Sequence, residues 1–461
     1  MTHGAPGIRI VGLGPGDPSL RTLGTQRVLD AADQIVLRTR VHPGLDDLCG
    51  DPRVSDCDDL YQTAAAFDSL YETIADRVLA LAKAGPVVYA VPGHPRFAER
   101  TVPLIVARAR SAGIPCDVLD AVSFLDATIA ALGADPIAAG MQLVDAEWLA
   151  SIVDAEPFSA GQLALDPTRP ILVAQVYNRE LAAAAKIALS RLIPDEHTVI
   201  LVTAAGIPGQ QSTKTLKLHE LDRQEVAHLT SLWVPPLAPL AATRSPQTLT
   251  RIVARLRAPG GCPWDREQSH ASLREAIIEE AYETVDAIDD DDMAGLAEEL
   301  GDLVLLVAMQ AQIAEEEGSF RIEDVNDEVS RKLVRRHPHV FGEIVAETPD
   351  AVIATWEGVK AVERAANGAP PVEKGPYDRL PRAMPPLRKA IELLAPRATL
   401  RGPSDAGEGA ALLQAIETLL EQGVDPERAL EEVLRARAAQ GDSSNGSEAV
   451  EIMTSRGEVQ G

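Results

Sequence analysis

A change of hydrophobic pattern near residue 230 most strongly limits how this chain can fold. Before it, short apolar and β-branched runs alternate with helical patterns, whereas after it apolar residues recur only at i, i+3, i+4 and i+7. The first pattern is typical of an α/β region with a largely parallel sheet, and the second of an all-α region. A chain of 461 residues is also too long for one ordinary core. We therefore expect a multidomain protein with an N-terminal α/β domain followed by an all-α helical bundle.

The same patterns predict individual elements. Helices are expected at Ser69–Ala84 and Arg96–Ala112, and later at Leu387–Leu394 and Gly409–Ala438. The runs read as strands are IRIVGLG, QIVLR, PVVYAVPG, CDVLDA, MQLVDA, RPILVAQVY and TVILVTAAG. The predicted organisation is an α/β domain at 1–228, a Pro-rich linker at 229–248, an all-α domain at 249–366, a further helical segment at 367–440 and a disordered tail at 441–461.

Charge, hydrophobic windows and cysteine spacing exclude several kinds of partner and location for this protein. The net charge is −26 and no block of Lys and Arg occurs, which argues against nucleic acid and against an anionic membrane surface. No window reaches the roughly 18–20 apolar residues of a membrane span, and the N-terminus lacks the pattern of a signal peptide. The four cysteines form no CxxC pair and are expected to be reduced thiols. We expect a cytoplasmic protein.

Two pairs of carboxylates stand out in the all-α region. Glu280 with Glu283, and Glu299 with Asp302, are each spaced three apart and so share a helix face. The turn-rich segment DAIDDDDMAG between them lets the two helices fold back antiparallel, so that the four acids converge. Converging acids repel one another unless a cation neutralises them, and oxygen ligands suit Mg²⁺ or Mn²⁺ better than zinc. The residues alone leave two interpretations open, a solvated acidic face and a metal site.

The remaining apolar positions of these two helices are expected to face the core. They are Ile277, Ile278, Ala281, Val285, Ile288, Leu300, Leu303, Val304 and Val307.

The acidic segment resembles a known family of enzymes. EEAYE followed by EELGD matches the EExxE…ExxD pattern of MazG-type nucleoside triphosphate pyrophosphohydrolases. LRAPGGCPWDREQSHASL, VSRKLVRRHPHVFGE and TWEGVKAVER resemble further motifs of that family, in the same order. The resemblance covers about 249–364 and implies Mg²⁺-dependent hydrolysis of a nucleoside triphosphate to the monophosphate and pyrophosphate, in a domain that is normally dimeric. It also implies a role in clearing nucleotides from the pool.

The resemblance also assigns roles to residues. Glu280, Glu283, Glu299 and Asp302 would ligate the metal, and Glu279 would bind a second metal or orient water. Lys332 and Arg336 would contact the triphosphate, and Trp356 and Lys360 would contact the base or a phosphate. Trp264 would lie near the substrate or serve as a buried anchor. His337 and His339 lack a metal-ligand pattern and are expected to be structural.

Two glycine-rich loops follow strands in the N-terminal half. VGLGPGD and YAVPGHPRF lie where an open α/β sheet binds ligands, although a tight turn alone would also explain them. Together they resemble the tetrapyrrole (corrin/porphyrin) methylases, which use S-adenosylmethionine, in the YabN-like branch fused to a MazG domain. The positions carried over to the ligand cleft are Gly12, Gly14, Gly16, Asp17, Pro92, Gly93 and Ser123. His94 stands where the methylases commonly have Asp, so the resemblance implies a cleft more firmly than a methyl transfer.

Alternatives follow from these two resemblances. The chain is expected to be a nucleoside triphosphate pyrophosphohydrolase, and the alternatives are a methyltransferase with an ancillary helical domain, a bifunctional protein, and a non-enzymatic scaffold. The segment at 367–440 resembles a second MazG copy without its acids, since Gly407 and Ala410 stand where an ExxD pair would be. We expect that segment to be structural.

Overall fold

Two compact units make up the chain, Met1–Ile322 and Glu323–Gly461. The structure is a computed structural model that describes residues 7–63, 67–155, 163–346, 348–366, 380–389 and 406–441. The division at Ile322 falls inside the helical region predicted as one domain at 249–366. The predicted domain boundaries stay predictions. None of the helices in the described ranges is long and apolar enough to cross a membrane.

The first sheet has five strands and is entirely parallel. Its order is β3-β2-β4-β1-β5. The strands are β1 Ile8–Gly12, β2 Ile35–Leu37, β3 Val54–Asp56, β4 Val87–Val91 and β5 Cys116–Val118. Because successive side chains point to opposite faces, Tyr89 packs in the core under one face and Val88 in the core under the other. The expectation of a parallel α/β domain is confirmed for this sheet.

The second sheet also has five strands, but it is mixed. Its order is β6-β7-β10-β8-β9, and only the β6–β7 pair is parallel. The strands are β6 Gln142–Asp145, β7 Ile171–Ala174, β8 Thr198–Thr203, β9 Ser212–Lys217 and β10 Thr230–Val234. One hydrophobic core joins this sheet to the two helices that precede and follow β7.

Seven α-helices accompany the two sheets in the α/β part, and the region that follows is built from helices without strands in the described residues. In the α/β part they are α1 Leu23–Asp30, α2 Asp58–Thr63, α3 Phe67–Ala84, α4 Thr101–Ser111, α5 Phe124–Leu132, α6 Ala146–Ala155 and α7 Arg179–Leu189. In the helical region they are α8 Pro246–Arg257, α9 Pro263–Glu267, α10 Arg274–Asp289, α11 Met293–Glu316, α12 Ile322–Arg336, α13 Pro338–Phe341 and α14 Pro349–Ala366.

The predicted linker and one predicted helix differ from the structure. The segment assigned to a linker contains β10, which is buried in the middle of the second sheet, so the linker assignment at 229–248 is wrong for that strand. Leu237 and Ala242 belong to the same core, so the Pro-rich segment lies against the sheet. The predicted helix at Arg96–Ala112 begins only at Thr101, because Ala98 has a φ of 52° that no α-helix allows.

Helices α10 and α11 form a hairpin around a three-residue turn. Asp291 takes a φ of 53°, and the Asp292 side chain accepts hydrogen bonds from the backbone N–H groups of Ala294 and Gly295 in the first turn of α11. The hairpin packs on α8 through a small core that includes Val253, Leu306 and Met309.

The predicted core side of this hairpin is wrong. Ile278, Val285, Leu300 and Val304 are about half exposed, and Leu303 is half-buried. The other positions assigned to the core are exposed as well, namely Ile277, Ala281, Ile288 and Val307. Both helices carry apolar residues on more than one face, and the chain covers the face of Ala287, Leu306 and Met309 instead. The face left open is referred to below as the exposed apolar face.

The second unit is helical in the residues described. Its last two helices are α15 Ala406–Glu421 and α16 Pro426–Gly441, where one continuous pattern was predicted at Gly409–Ala438. Gly423, with a φ of 72°, ends the first of them. Lys389 is buried and ion-paired to Glu431 at 2.9 Å. Most of the predicted helix at Leu387–Leu394, and nearly all of the predicted disordered tail, lie outside the described residues.

The two glycine-rich loops of the α/β part hydrogen-bond to each other directly. The backbone N–H of Gly14 donates to the carbonyl of Gly93 at 3.2 Å, and that of Gly93 donates to the carbonyl of Gly14 at 2.9 Å. A Cβ added at Gly12 would lie 2.3 Å from the Gly93 oxygen. The glycines are therefore required for the loops to meet.

We predict that Gly12→Ala destabilises the protein by about 1–3 kcal/mol, because an added methyl group forces the two loops apart. Gly24→Ala is the matched control: the new Cβ in α1 would find no atom closer than 3.6 Å, so that variant should be as stable as the wild type or up to about 1 kcal/mol more stable. Urea denaturation measures both. Equal stability of the two variants would contradict the requirement for glycine at position 12.

Candidate functional site

Three carboxylates converge on the α10–α11 hairpin. One oxygen each from Glu280, Glu283 and Glu299 lies within 4.8 Å of the others. Glu280 and Glu299 are half-buried and Glu283 is exposed. Asp302, one turn after Glu299, is half-buried and close enough for its charge to act on both Glu280 and Glu299. The predicted pairs are therefore brought together, whereas Glu279 is exposed on α10 and lies outside the three-carboxylate group.

The electrostatics of this acidic cluster fit a cation. Burial, followed by the charges of Asp302, Glu283 and Glu299, raises the pKa of Glu280. Burial, followed by the charges of Glu283, Glu298 and Asp302, raises the pKa of Glu299. The charges that raise both pKa values are those of neighbouring acids. A set of acid oxygens at this spacing suits a hard divalent cation such as Mg²⁺.

A group of aromatic and basic side chains forms in the second unit. Lys360 Nζ lies 4.0 Å from the ring centroid of Trp356, and the Arg336 guanidinium lies 5.7 Å from the same ring. Glu363 accepts hydrogen bonds from Arg336 at 2.7 Å and from Arg335 at 2.5 Å. These two partners lower the pKa of Glu363 to about 2. Arg336 is thus held in a fixed orientation over Trp356.

Three further residues named in the sequence analysis, Lys332, Trp264 and His337, lie outside this aromatic and basic group. Lys332 is half-buried on α12, one turn before Arg336. Trp264 is 65% exposed, so the buried-anchor alternative is wrong. Its helix, α9, has no buried residue, and Arg257 holds that segment instead by donating to the carbonyls of Asp265 and Gln268. His337 Nδ1 bonds the carbonyl of Leu333 at 2.7 Å, which fits the structural role predicted for it.

A second candidate site is a cavity of about 390 Å³ in the α/β part. Pro92 and Gly93 of the second glycine-rich loop line it, as does Pro15 of the first. Opposite them lie Gln175, Tyr177 and Ala204, which come from the second sheet and its loops. The cavity therefore lies where the connecting loops of the two sheets meet.

The other positions carried over to this cleft shape the turns around it. Gly12 and Gly14 allow the loops to meet, and Gly16 has a φ of 134°. The Asp17 side chain accepts a hydrogen bond from Ser19 N at 2.8 Å, and the Ser123 side chain forms a capping box with Asp126 at the start of α5. Their role toward a ligand stays a prediction.

Comparison with known proteins assigns both halves to families. A family profile described as tetrapyrrole (corrin/porphyrin) methylases matches residues 7–222, and one described as the MazG nucleotide pyrophosphohydrolase domain matches residues 268–341. The Bacillus subtilis (strain 168) protein YabN is 39% identical over 389 residues, which make up 84% of this chain and 76% of YabN. The chain belongs to the YabN family.

Relatives of the helical half carry a functional name. The Escherichia coli (strain K12) nucleoside triphosphate pyrophosphohydrolase is 44% identical over 146 residues, 32% of this chain and 54% of that protein. The Thermotoga maritima nucleoside triphosphate pyrophosphohydrolase/pyrophosphatase MazG is 48% identical over 118 residues, 26% of this chain and 45% of that protein. The chain thus spans about half the length of each. The predicted family and fold class are confirmed.

Several residues of both sites were not predicted from the sequence. In the cavity these are Arg38, His42, Tyr61, Tyr71, Glu99, Glu147, Gln175 and Tyr177, and in the second unit they are Arg335 and Glu363. Arg38 directly follows β2, at the carboxyl end of a parallel strand, which is a signal that could have found it. Glu363 lies three and seven residues after Lys360 and Trp356, so helical spacing could have placed it beside them.

We predict that Mg²⁺ stabilises the protein through the acidic cluster. A carboxyl whose folded pKa is raised is destabilising when ionised at neutral pH, and this cost disappears as pH falls through that pKa. Saturating Mg²⁺ should therefore raise the wild-type Tm by about 2–4 °C at pH 7. Glu280→Gln should raise the Tm without metal and remove most of the response to Mg²⁺.

Glu275→Gln, which removes an acid from the same helix outside the cluster, is the control and should respond to Mg²⁺ like the wild type. Differential scanning calorimetry with EDTA or with Mg²⁺ measures all three proteins. A full Mg²⁺ response in Glu280→Gln would show that the ion binds elsewhere.

Proposed function

We propose that this protein hydrolyses nucleoside triphosphates to nucleoside monophosphates and pyrophosphate, with Mg²⁺ or Mn²⁺ held by the acidic cluster. The observation that carries the proposal is the convergence of Glu280, Glu283 and Glu299 within 4.8 Å on one hairpin. The likeness of this segment to proteins named nucleoside triphosphate pyrophosphohydrolases supports it. Asp302 is the fourth proposed ligand. Clearance of excess or non-standard nucleotides is the role we infer for such an activity.

The proposed reaction breaks the phosphoanhydride bond between the α and β phosphates. A water oxygen forms the new bond to phosphorus, and pyrophosphate leaves with the electron pair of the broken bond. A bound divalent ion would polarise phosphate oxygens, favour deprotonation of water and offset the charge that develops. Glu279, beside the cluster on α10, is the residue we assign to orienting the attacking water.

The basic residues of the second unit are assigned to the triphosphate. Lys332 and Arg336 lie four apart on α12 and carry the positive charge that a polyanion needs. Glu363 and the Trp356 ring fix the orientation of Arg336, so less conformational entropy is lost when phosphate binds. We also assign Lys360, which lies over the Trp356 ring, to the phosphates, and the exposed Trp264 to the substrate.

Product analysis tests this function. With Mg²⁺ and a panel of nucleoside triphosphates, the protein should release pyrophosphate rather than orthophosphate, as resolved by ³¹P NMR, and EDTA should abolish turnover. Glu280→Gln and Asp302→Asn should each lower kcat/KM by at least about 100-fold, because loss of a direct ligand should exceed the 10–100-fold typical of outer-shell partners. Glu275→Gln should retain wild-type turnover. Full Mg²⁺-dependent activity in Asp302→Asn would rule the assignment out.

We also propose that the exposed apolar face binds the same face of a second copy. Ile278, Tyr282 and Val285 follow one another along α10, and Leu300, Val304 and Val307 do so along α11, at i, i+4 and i+7. Each of these six side chains is between 43% and 56% exposed. Two apolar stripes on adjacent helices form a continuous patch of the kind that marks protein–protein interfaces, and a homodimer is the assembly that the MazG resemblance implies.

The expected outcome of light scattering coupled to size-exclusion chromatography is a dimer at micromolar concentration. Ile278→Asp combined with Val304→Asp should shift the protein to monomers, because charges would be buried without partners. Ile137→Asp changes an isolated apolar residue that is 90% exposed in the α/β part, and this control should remain dimeric. A monomeric wild type, or a dimer unaffected by the double substitution, would contradict the proposal.

The second candidate function is binding of S-adenosylmethionine, and with it methyl transfer, in the α/β cavity. The observation that favours it is that Pro15, Pro92 and Gly93 of the two glycine-rich loops line a cavity of about 390 Å³. Isothermal titration calorimetry should then detect saturable binding at millimolar S-adenosylmethionine or below. The absence of any heat of binding would leave the hydrolase as the sole candidate activity.

A further inference from the structure

Helix α10 is held in the hairpin by few apolar contacts. Within the helix, which the structure describes in full, the buried residues are Thr284 and Ala287. Leu273, directly before the helix, is buried as well and belongs to the small core that contains Leu306 and Met309. The larger apolar side chains of α10 lie on the exposed apolar face instead. Hydrophobic burial within one copy therefore contributes little to holding α10 against α11.

The acidic cluster pushes the same two helices apart. Glu280 and Glu283 belong to α10, whereas Glu299 and Asp302 belong to α11. Burial, and after it the charges of neighbouring acids, raises the pKa of both Glu280 and Glu299, so these carboxylates repel one another across the hairpin. Without a cation, contacts elsewhere in the hairpin have to hold Glu280, Glu283 and Glu299 at the spacing of 4.8 Å or less.

Arg257, the last residue of α8, joins three segments at the open end of the hairpin, the end opposite its turn. Nε and Nη2 donate to the two carboxylate oxygens of Glu316, the last residue of α11, at 2.9 and 2.7 Å. Nη1 donates to the carbonyls of Asp265 and Gln268, at 2.5 and 3.1 Å, in the segment that leads into α10. The Arg257 side chain is only 6% exposed. Bidentate, charge-assisted contacts of this kind are among the strongest hydrogen bonds in proteins.

A second polar contact holds the same segment to α11. His270 Nδ1 donates to Gln310 Oε1, and Gln310 Nε2 donates to the His270 carbonyl at 3.4 Å. His270 lies between Gln268, which Arg257 holds, and the start of α10 at Arg274. The start of α10 is therefore fixed by polar contacts, while its other end is fixed by the three-residue turn.

Arg257 lies far from the acidic cluster. Its partner Glu316 follows Asp302 by about four turns of α11, which is about 20 Å along the helix axis. An effect of Arg257 on the carboxylates must therefore be transmitted by the position of α10 as a whole. Releasing the start of α10 would let the helix pivot about the turn, and the repulsion would move Glu280 and Glu283 away from Glu299.

We propose that Arg257 is a positioning residue for the metal site of the proposed function, on which this inference depends. By holding the segment before α10, it keeps the carboxylates of the two helices close together before a divalent ion binds. Such preorganisation raises affinity, because less of the binding free energy is used to bring the ligands together. Loss of Arg257 should therefore weaken Mg²⁺ binding and leave the reaction at saturating Mg²⁺ largely intact.

Isothermal titration calorimetry with Mg²⁺ on the full chain at 25 °C, without nucleotide, tests the proposal. The Kd for Mg²⁺ should rise about 10-fold in Arg257→Ala, the lower end of what outer-shell partners of a metal site contribute. It should rise about 3-fold in Arg257→Lys, because lysine keeps the charge but cannot form the two-pronged contact with Glu316. The kcat of Arg257→Ala at saturating Mg²⁺ should stay within about 3-fold of the wild type.

Arg53→Ala is the matched control. The Arg53 guanidinium also donates to a carboxylate, that of Asp51, and to backbone carbonyls, but it does so in the α/β part. This variant should keep the wild-type Kd for Mg²⁺ even if it is less stable. Hydrogen exchange followed by mass spectrometry in EDTA gives a second reading: exchange in residues 274–289 should be at least about 10-fold faster in Arg257→Ala and unchanged in Arg53→Ala.

An unchanged Kd in Arg257→Ala, or an equal loss of affinity in Arg53→Ala, would overturn the proposal, as would a lower kcat at saturating Mg²⁺ with an unchanged Kd. If Arg257→Ala does not fold, Glu316→Gln decides: it removes the ionic contact alone and should raise the Kd about 3-fold, and an unchanged Kd there overturns the proposal too. A wild type that binds Mg²⁺ but hydrolyses no nucleoside triphosphate would refute the proposed function, and the Kd values would still decide the role of Arg257. Absence of Mg²⁺ binding in the wild type would overturn both.

Discussion

The turn between α10 and α11 determines much of what the helical half of this protein can do. With only three residues between the helices, the chain has to fold back on itself, and the carboxylates of Glu280, Glu283 and Glu299 come within 4.8 Å of one another. Asp292 supports this geometry by capping α11, and Asp291 takes the left-handed conformation that the reversal needs. The repulsion among the acids therefore follows directly from the turn. A divalent cation would relieve this repulsion, and the same hairpin presents the exposed apolar face.

Both halves of the molecule contain an arginine that is held by a glutamate. In the second unit, Glu363 orients Arg336 over the Trp356 ring. In the α/β cavity, Glu99 pairs with Arg38, and a second carboxylate, Glu147, also lines the wall. The same kind of contact, an arginine held by a glutamate, thus occurs in two different surroundings: beside an exposed Trp356 ring in one, and in a cavity wall with a second carboxylate in the other.

How far the sequence predicts this structure depends on whether a feature is local. Apolar β-branched runs identified seven of the ten strands in the described residues. β3 and β9 were missed because one is three residues long and the other is largely exposed and polar, and β10 because Pro235 and Pro236 follow it directly. Helical spacing correctly paired Glu280 with Glu283 and Glu299 with Asp302. Periodicity shows which residues share a face, but it does not show which of two apolar faces the chain itself covers.

Residues that are distant in the sequence but adjacent in the fold could not be brought together by patterns of spacing. The cavity wall draws Arg38, Glu99, Glu147 and Tyr177 from separate loops and helices, and no spacing rule connects them. The contact of His42 with the Gly14 backbone is likewise one that no sequence pattern reports. The glycine-rich loops were recognisable, yet they form only one side of the cleft. Arg38, Glu99, Glu147 and Tyr177 line the rest of it.

The net charge of the chain limits which part of it can bind an anionic ligand. A chain with a net charge of −26 repels polyanions as a whole, so a phosphorylated substrate requires local compensation. The acidic cluster would provide it by concentrating a divalent cation, and Lys332, Arg336 and Lys360 would provide it directly. In the α/β cavity, Arg38 is ion-paired with Glu99. We therefore expect a phosphorylated ligand to prefer the helical half, where the acidic cluster lies.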